Sequence, residues 1–273
     1  MKPKARHLIM DLLLAAEGEA SSVREFIAGC ALFGISGNNV RVAVVRLSAE
    51  GLIEAEERGR YRLGGSAHQL ADEVATWRTA EQRVRPWKGG YLAVYSGALG
   101  RSDRAALRRR ERALQMLGFR ELERGLLVRP DNIEDNIGTV RKRLYTLGLE
   151  AQACVFVAQG FDAVHEARIR TLWDCKALNL GYRKLRARLE QWMEHAPALE
   201  REAAAREAYL LGSTAIRQVV FDPLLPEPFV DVAARHAFVE TVRRFDRYGQ
   251  AIWRASRAVT LADAPVARGA RAH

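Results

Sequence analysis

Between residues 5 and 63 the chain sets out three helix signals and then two short alternating runs, an order that few folds accept. Ala5 to Ala16 carries Leu8, Ile9, Leu12 and Leu13 at helical spacing. Ser22 suits the cap of a second helix, Val23 to about Phe33, and Glu25 stands where a capping box requires an acid. Gly34 and Gly37 mark a turn, after which Asn38 or Asn39 is expected to cap a third helix ending near Gly51. Leu52 to Glu56 and Arg60 to Leu63 alternate in polarity about the charged turn Glu57 to Gly59, as in a β-hairpin. Three helices closed by a hairpin make a winged helix-turn-helix, expected over residues 1–65.

The third helix carries the most informative chemistry. At about 100° per residue, Val40, Ala43, Val44 and Leu47 form an apolar stripe for the core. Asn38, Val42, Val45 and Ala49 lie opposite, flanked by Arg41 and Arg46. Such a face suits a major groove. Asn bridges an adenine edge, Arg forks onto guanine, and small apolar groups meet a thymine methyl. Arg58, Arg60 and Arg62 on the hairpin are placed to hold phosphates or enter the minor groove. The residues expected to touch DNA are therefore Asn38, Asn39, Arg41, Val42, Arg46, Arg58, Arg60 and Arg62. The blander alternatives are a protein-binding winged module and arginines that are merely solvated. Glu54, Glu56 and Glu57 offset part of the positive field.

Gly64-Gly65-Ser66 closes this segment, and residues 66–86 read as a linker built on an amphipathic helix from about His68 to Arg83. The next stretch alternates: strand Tyr91 to Tyr95, and a helix Asp103 to Leu117 capped by Ser102. Strands Phe119 to Glu123 and Leu126 to Val128 follow, then a helix Ile133 to Leu147 and a strand Ala151 to Ala158. That βαββαβ order over residues 87–162 is the ferredoxin-like arrangement. Residues 163–258 read as a helical C-terminal domain, interrupted by the turn-rich Asp222 to Pro228, and 259–273 as a loose tail. The fold class expected is α+β.

Charge narrows the partners. Lys and Arg number 43 against 33 acids, a net of +10, which favours a polyanion: nucleic acid, anionic lipid or a phosphorylated small molecule. Residues 1–65, however, hold 9 basic and 8 acidic side chains. The surplus lies further along, so placement rather than total charge points to DNA. Arg101, Arg104, Arg108, Arg109, Arg110 and Arg112 crowd one helix, and Arg183, Lys184, Arg186 and Arg188 another. Either cluster suits the phosphates of a CoA moiety, since Arg grips phosphate bidentately, or a secondary contact with DNA. A solvated face, with pairs such as Arg108 with Glu111, is the simpler account. Trp173, Tyr182 and Trp192 lie near the second cluster and suit either an aryl pocket or ordinary core. Trp173, Tyr182, Arg183 and Arg186 are the candidate effector set.

Catalytic chemistry finds no foothold. The six histidines form no HExxH, and GxSxG, P-loop and GxGxxG motifs are absent. Asp231 and His236 share a helix and read as a surface pair or buried hydrogen bond. The three cysteines lack a CxxC, so no zinc site is expected, and Cys30 and Cys154 read as small buried hydrophobes. No catalytic residue, metal or cofactor is expected. Asp11 interrupts the only apolar stretch near the N-terminus and no run approaches the ~20 residues of a membrane span. A cytoplasmic protein with no membrane partner is expected.

Several motifs taken in order resemble a known family. They are Asn39-Val40-Arg41-Val42-Ala43-Val44-Val45-Arg46-Leu47, Gly51-Leu52-Ile53, and Arg58-Gly59-Arg60-Tyr61-Arg62-Leu63. Trp87-Lys88-Gly89-Gly90-Tyr91, Leu172-Trp173-Asp174, Leu178-Asn179 with Tyr182, and Asp222-Pro223-Leu224-Leu225-Pro226 complete the series. Over roughly residues 5 to 255 the chain resembles the PaaX-type repressors of bacterial phenylacetate catabolism. The resemblance implies a homodimer on a double-stranded DNA operator, released by an aromatic acyl-CoA, phenylacetyl-CoA in the best-known members. Where such proteins usually carry Trp-Pro-Gly, this chain has Phe229-Val230-Asp231-Val232, and Tyr91 stands where an aromatic Trp is usual. The effector therefore stays open among aromatic and aliphatic acyl-CoAs and free aromatic acids. A second resemblance, to the small ferredoxin-like CRISPR-associated nucleases, gives the alternative of a metal-dependent nuclease or RNA-processing protein. Those proteins place an Asp at the end of the first strand. Here the first acid after Tyr95 is Asp103.

Overall fold

In the computed structural model residues 3–16, 18–65, 67, 76–100 and 102–262 are described, with side chains to residue 255. Helix and strand are mixed, an α+β chain. The chain divides into two compact units: residues 1–71, 193–212 and 246–273, and residues 72–192 and 213–245.

The first unit opens with α1 (Ala5–Ala15), a two-residue strand β1 (Ser21–Ser22), α2 (Val23–Ala31) and α3 (Gly37–Ala49), then β2 (Ile53–Glu57) and β3 (Arg60–Leu63). The capping box forms: the Ser22 hydroxyl accepts the Glu25 amide at 3.2 Å, and the Ser22 amide donates to Glu25 Oε2 at 2.7 Å. Two helix donors are thereby satisfied where the helix enters the core. Strand β1, which nothing in the sequence singled out, pairs antiparallel with β3, giving the order β1-β3-β2. The hairpin turns at Gly59, whose φ of 81° is a backbone region that favours glycine. Leu8, Ile9, Leu13, Phe26, Cys30, Val40, Val44, Leu47 and Ile53 fill the core. Ala205, Tyr209, Ile252 and Trp253, from far along the chain, complete it.

In the second unit, β4 (Tyr91–Tyr95), α4 (Arg104–Met116), β5 (Arg120–Glu123), β6 (Leu126–Pro130), α5 (Ile137–Leu147) and β7 (Cys154–Ala158) build one antiparallel sheet of order β5-β6-β4-β7. Period-two alternation sorts its faces. Leu92, Val94 and Val155 join Ala113, Leu114 and Leu117 of α4 and Val140 and Leu144 of α5 in one apolar cluster. Tyr91, on the opposite face, is closed over by Trp87 and Phe161, with ring centroids 5.7 and 5.6 Å away. Helices α6 (Ala163–Arg170), α7 (Cys175–His195), α8 (Arg201–Val220) and α9 (Val232–Ala262) follow. The segment between α8 and α9 is non-helical, as expected from its prolines.

Two arginines are fully buried here. Arg129 donates to the Leu117 carbonyl, to the Pro130 carbonyl at 3.0 Å and to Asn132 Oδ1 at 2.8 Å, and Asn132 in turn donates to the Leu224 carbonyl at 2.7 Å. Burial, reinforced by the neighbouring Arg83 charge, brings the Arg129 guanidinium down to about 9. Arg235 donates to Glu81 Oε1 at 2.8 Å and to the Leu225 carbonyl.

Several local expectations need correction. Helix α3 is capped by Ser36, not Asn38 or Asn39, and α4 by Asp103, not Ser102. Helix α5 starts at Ile137 behind its cap Asn136; Ile133 instead bridges to Val84. Cys154 is exposed, not buried, because it opens the edge strand β7 opposite the exposed Tyr95. Of the linker helix, Thr76–Arg83 is a 3-10 helix, while residues 66 and 68–75 lie outside the described residues. Most of the tail, residues 263–273, does so too, and α9 runs to Ala262.

Candidate nucleic-acid interface

Helix α3 begins where the Ser36 hydroxyl accepts the Asn39 amide at 3.3 Å. Val40, Val44 and Leu47 are buried, as the stripe requires, and Asn38, Asn39, Arg41, Val42, Val45, Arg46 and Ala49 are exposed. Arg41, Val42, Val45 and Arg46 line a shallow concavity whose surface is almost wholly apolar. Among the described residues neither Arg41 nor Arg46 enters an ion pair. Glu50, one turn beyond Arg46, is held by Arg6 at 2.7 Å, and that hydrogen bond, helped by the charges of Arg6 and Arg46, pulls its carboxyl below the usual range. Both α3 arginines are thus left available.

The hairpin arginines stand differently. Register pairs Glu54 with Arg62, and their side chains form an ion pair at 2.8 Å. Arg60 reaches Glu57 at 3.2 Å and donates to the Ala20 carbonyl at 2.6 Å, which braces the hairpin against the start of β1. Arg58 sits exposed at the tip, outside any ion pair among the described residues. All eight residues expected to touch DNA are exposed on this unit. The intra-hairpin acids engage two of the three hairpin arginines, a coupling that the alternation Glu-x-Glu against Arg-x-Arg carries in the sequence.

Of the four candidate effector residues, two are buried and two lie near the surface. Trp173 is buried, donates from Nε1 to the Gly118 carbonyl at 3.0 Å and meets the Phe229 ring at 5.7 Å. Tyr182 is buried against Phe238 at 5.9 Å. Arg183 pairs with Asp231 at 3.1 Å and Arg186 with Glu190 at 3.0 Å, both near the surface. No ring pairing or hydrogen bond joins Trp173 to Tyr182 among the described residues. Trp192 packs on Phe245 at 5.2 Å. In the first basic cluster, Arg110 is buried and bound to Glu150, while Arg104, Arg108, Arg109 and Arg112 are exposed and Arg101 lies outside the described residues. Sequence reasoning missed Glu81, which receives both Arg235 and His236, the latter at 3.0 Å. Asp231 instead caps α9 through the Ala234 amide. Asp222, buried near Tyr182 and Arg235, is pushed up to about 6 by burial. Only an Asp standing in an otherwise apolar Pro-rich run hinted at such a group.

Among the described residues no group of three or more His, Cys, Asp or Glu is arranged to hold a metal, and no helix is long and apolar enough to cross a membrane. The first acid after β4, Asp103, has its carboxylate on the Ala105 and Ala106 amides at 2.8 and 3.1 Å.

Among solved structures, the chain is similar to the uncharacterized protein Rv0674 from Mycobacterium tuberculosis. The two share 20% identity and a TM-score of 0.59, over 94% of this chain and 99% of that one, a likeness of fold. No curated protein matches the sequence. Two family models do, the PaaX-like protein over residues 4–73 and the PaaX-like protein C-terminal domain over residues 173–255. Together they span more than half the chain, and the chain belongs to the PaaX-like family.

Proposed function

We propose that this chain is a DNA-binding repressor of an aromatic-compound, phenylacetate-type catabolic operon, released from its operator by an acyl-CoA or aromatic acid. Members of the PaaX family are transcriptional regulators of phenylacetic acid metabolism. In this reading residues 1–65 are a winged helix-turn-helix, with α3 as recognition helix and the β2–β3 hairpin as wing. Residues 87–162 form a ferredoxin-like domain reached through a linker at 66–86, and residues 163–258 a helical C-terminal domain. The observation that carries the reading is the exposed face of α3, with two uncommitted arginines around an apolar centre. A homodimer presents two such faces to half-sites spaced by whole helical turns. An effector that prefers one arrangement of the two wings over another shifts occupancy, and only such a preference does so.

The test is a gel-shift titration with the DNA upstream of the protein's own gene. Arg41→Ala with Arg46→Ala should weaken binding by about 1–3 kcal/mol for each base-specific interaction removed. Phenylacetyl-CoA and other CoA thioesters, added in turn, should release the DNA. Unchanged affinity in a folded double variant removes α3 from the interface. Occupancy indifferent to every thioester and free acid removes the induction step.

A further inference from the structure

We propose that Val42 and Val45 read thymine methyl groups, so that the duplex selected by this chain carries thymine at fixed steps under the crest of α3. This rests on the DNA-binding reading above and adds a base identity to it. With Arg41 as origin, helical geometry places Val45 about 40° round the axis, Val42 about 100° and Arg46 about 140°. The buried line of Val40, Val44 and Leu47 lies opposite the midpoint of the two valines. The valines therefore take the crest of the helix and the arginines its shoulders.

That placement is unusual on energetic grounds. Val45 is 68% exposed and Val42 43%, so neither is a core residue and Val45 gains little from burial. Valine is also among the weaker helix formers, because its branched Cβ loses rotamer freedom against the preceding turn. A site that is both polar-facing and helical favours Lys, Glu or Gln instead. Two exposed valines between two arginines without ion-pair partners among the described residues fit a partner that is anionic at its margins and apolar at its centre. A B-DNA major groove has that profile only where thymine projects its C5-methyl, between two walls of phosphate. The valines are about 4.5 Å apart along the axis, a little over one base step of about 3.4 Å, so they meet the same or neighbouring pairs. Asn38 stands about 60° round, one turn earlier, where its amide suits an adenine edge. A protein surface is the other possible occupant of an apolar face, and the flanking cations favour the polyanion.

The experiment begins with duplexes selected by the full-length chain from a randomised library. Each thymine of the enriched motif is then replaced in turn by deoxyuridine, which keeps base pairing and removes only the methyl. One or two positions should lose about fourfold in affinity, the worth of one buried methyl. Val45→Ser and Val42→Ser, which put a small polar group in place of each apolar one, should between them erase that discrimination, binding thymine and uracil duplexes equally. Circular dichroism checks that both exposed-site variants stay folded. If every deoxyuridine duplex binds as well as its parent, or the valine variants keep the discrimination, methyl reading is overturned while DNA binding stands. If no sequence is enriched, the DNA reading fails as well and the face is left to a protein partner.

Discussion

Replacing Tyr209 by Phe removes one oxygen from the first unit and should be felt most near neutral pH. The Tyr209 hydroxyl donates to Asp11 Oδ2 at 2.5 Å, while its ring meets Phe33 at 5.2 Å and Trp253 at 5.9 Å. Phe keeps the ring packing and leaves the Asp11 carboxylate without that donor. Hydrogen bonds to charged groups contribute roughly 1.5–3 kcal/mol, and this one is partly shielded from water. A loss of about 2 kcal/mol corresponds to a fall in Tm of about 4–8 °C for a chain somewhat shorter than this one. The pH dependence gives the sharper signature. Burial holds the Asp11 carboxyl above its ordinary range, and the Tyr209 hydroxyl and His7 charge draw it back only in part. A raised folded-state value means that the native chain binds the proton more tightly than the unfolded one. Stability from this group is therefore greatest below the unfolded value and declines as pH rises through the folded one. Removing the hydroxyl lifts the folded value further, so Tyr209→Phe should cost most at pH 7 and little once Asp11 is protonated. Urea unfolding followed by tryptophan fluorescence at pH 7 and at about pH 4 measures both. Equal destabilisation at the two pH values would refute the assignment of the loss to Asp11.

Further outcomes follow from the second unit. Arg110 grips Glu150 through Nε at 3.0 Å and Nη2 at 2.5 Å, and that hydrogen bond holds the Glu150 carboxyl below its usual range. Its contribution is present above the unfolded value and lost as pH falls through the folded one, so Glu150→Gln should flatten the acid limb of the stability profile, read by thermal melts from pH 3 to 7. Gly118 has φ of 75°, and a Cβ there would lie 2.7 Å from the Pro223 Cα. Gly118→Ala should cost at least ~1–3 kcal/mol in urea denaturation, and an unchanged midpoint would mean that this approach is not so close. Asn132→Ala leaves buried Arg129 and the Leu224 carbonyl each short of a partner. It should cost about 2–3 kcal/mol, whereas a neutral result would show that water replaces the amide.

How far the sequence reached depended on the range over which each feature is encoded. The face of α3 was legible because its period is fixed by the helix itself, and the buried set Val40, Val44 and Leu47 follows from counting. Strand Tyr91–Tyr95 was equally plain, an apolar run bounded by Gly89-Gly90 and Gly97. Caps were less so. Ser36, Asn38 and Asn39 are all good cap residues within four positions, and only the backbone geometry picks Ser36, with φ of −67° and ψ of 149°. The exposure of Cys154 was hidden because a run such as Ala151 to Ala158 does not say that its strand will be an edge. Arg129 and Arg235 were read past for a different reason. Their burial depends on the carbonyls of Leu117 and Leu225 and on Glu81, the last 154 residues from Arg235, and no local pattern records that. For the same reason the basic surplus could not locate an effector. Each charge's meaning was set by a partner distant in sequence.

The core of the first unit is completed by Ala205, Tyr209, Ile252 and Trp253. During translation these arrive long after α3 has been made. At ~5–20 residues per second, some 180 residues separate Ala71 from Trp253, on the order of 10–40 s. Until the last of them is made the core of the nascent first unit stays incomplete, and Phe33 goes without the Trp253 ring. A chain that ends before the last helix therefore lacks Ile252 and Trp253 from this core. Such fragments should carry a less stable first unit and be cut by proteases more readily than the full-length chain.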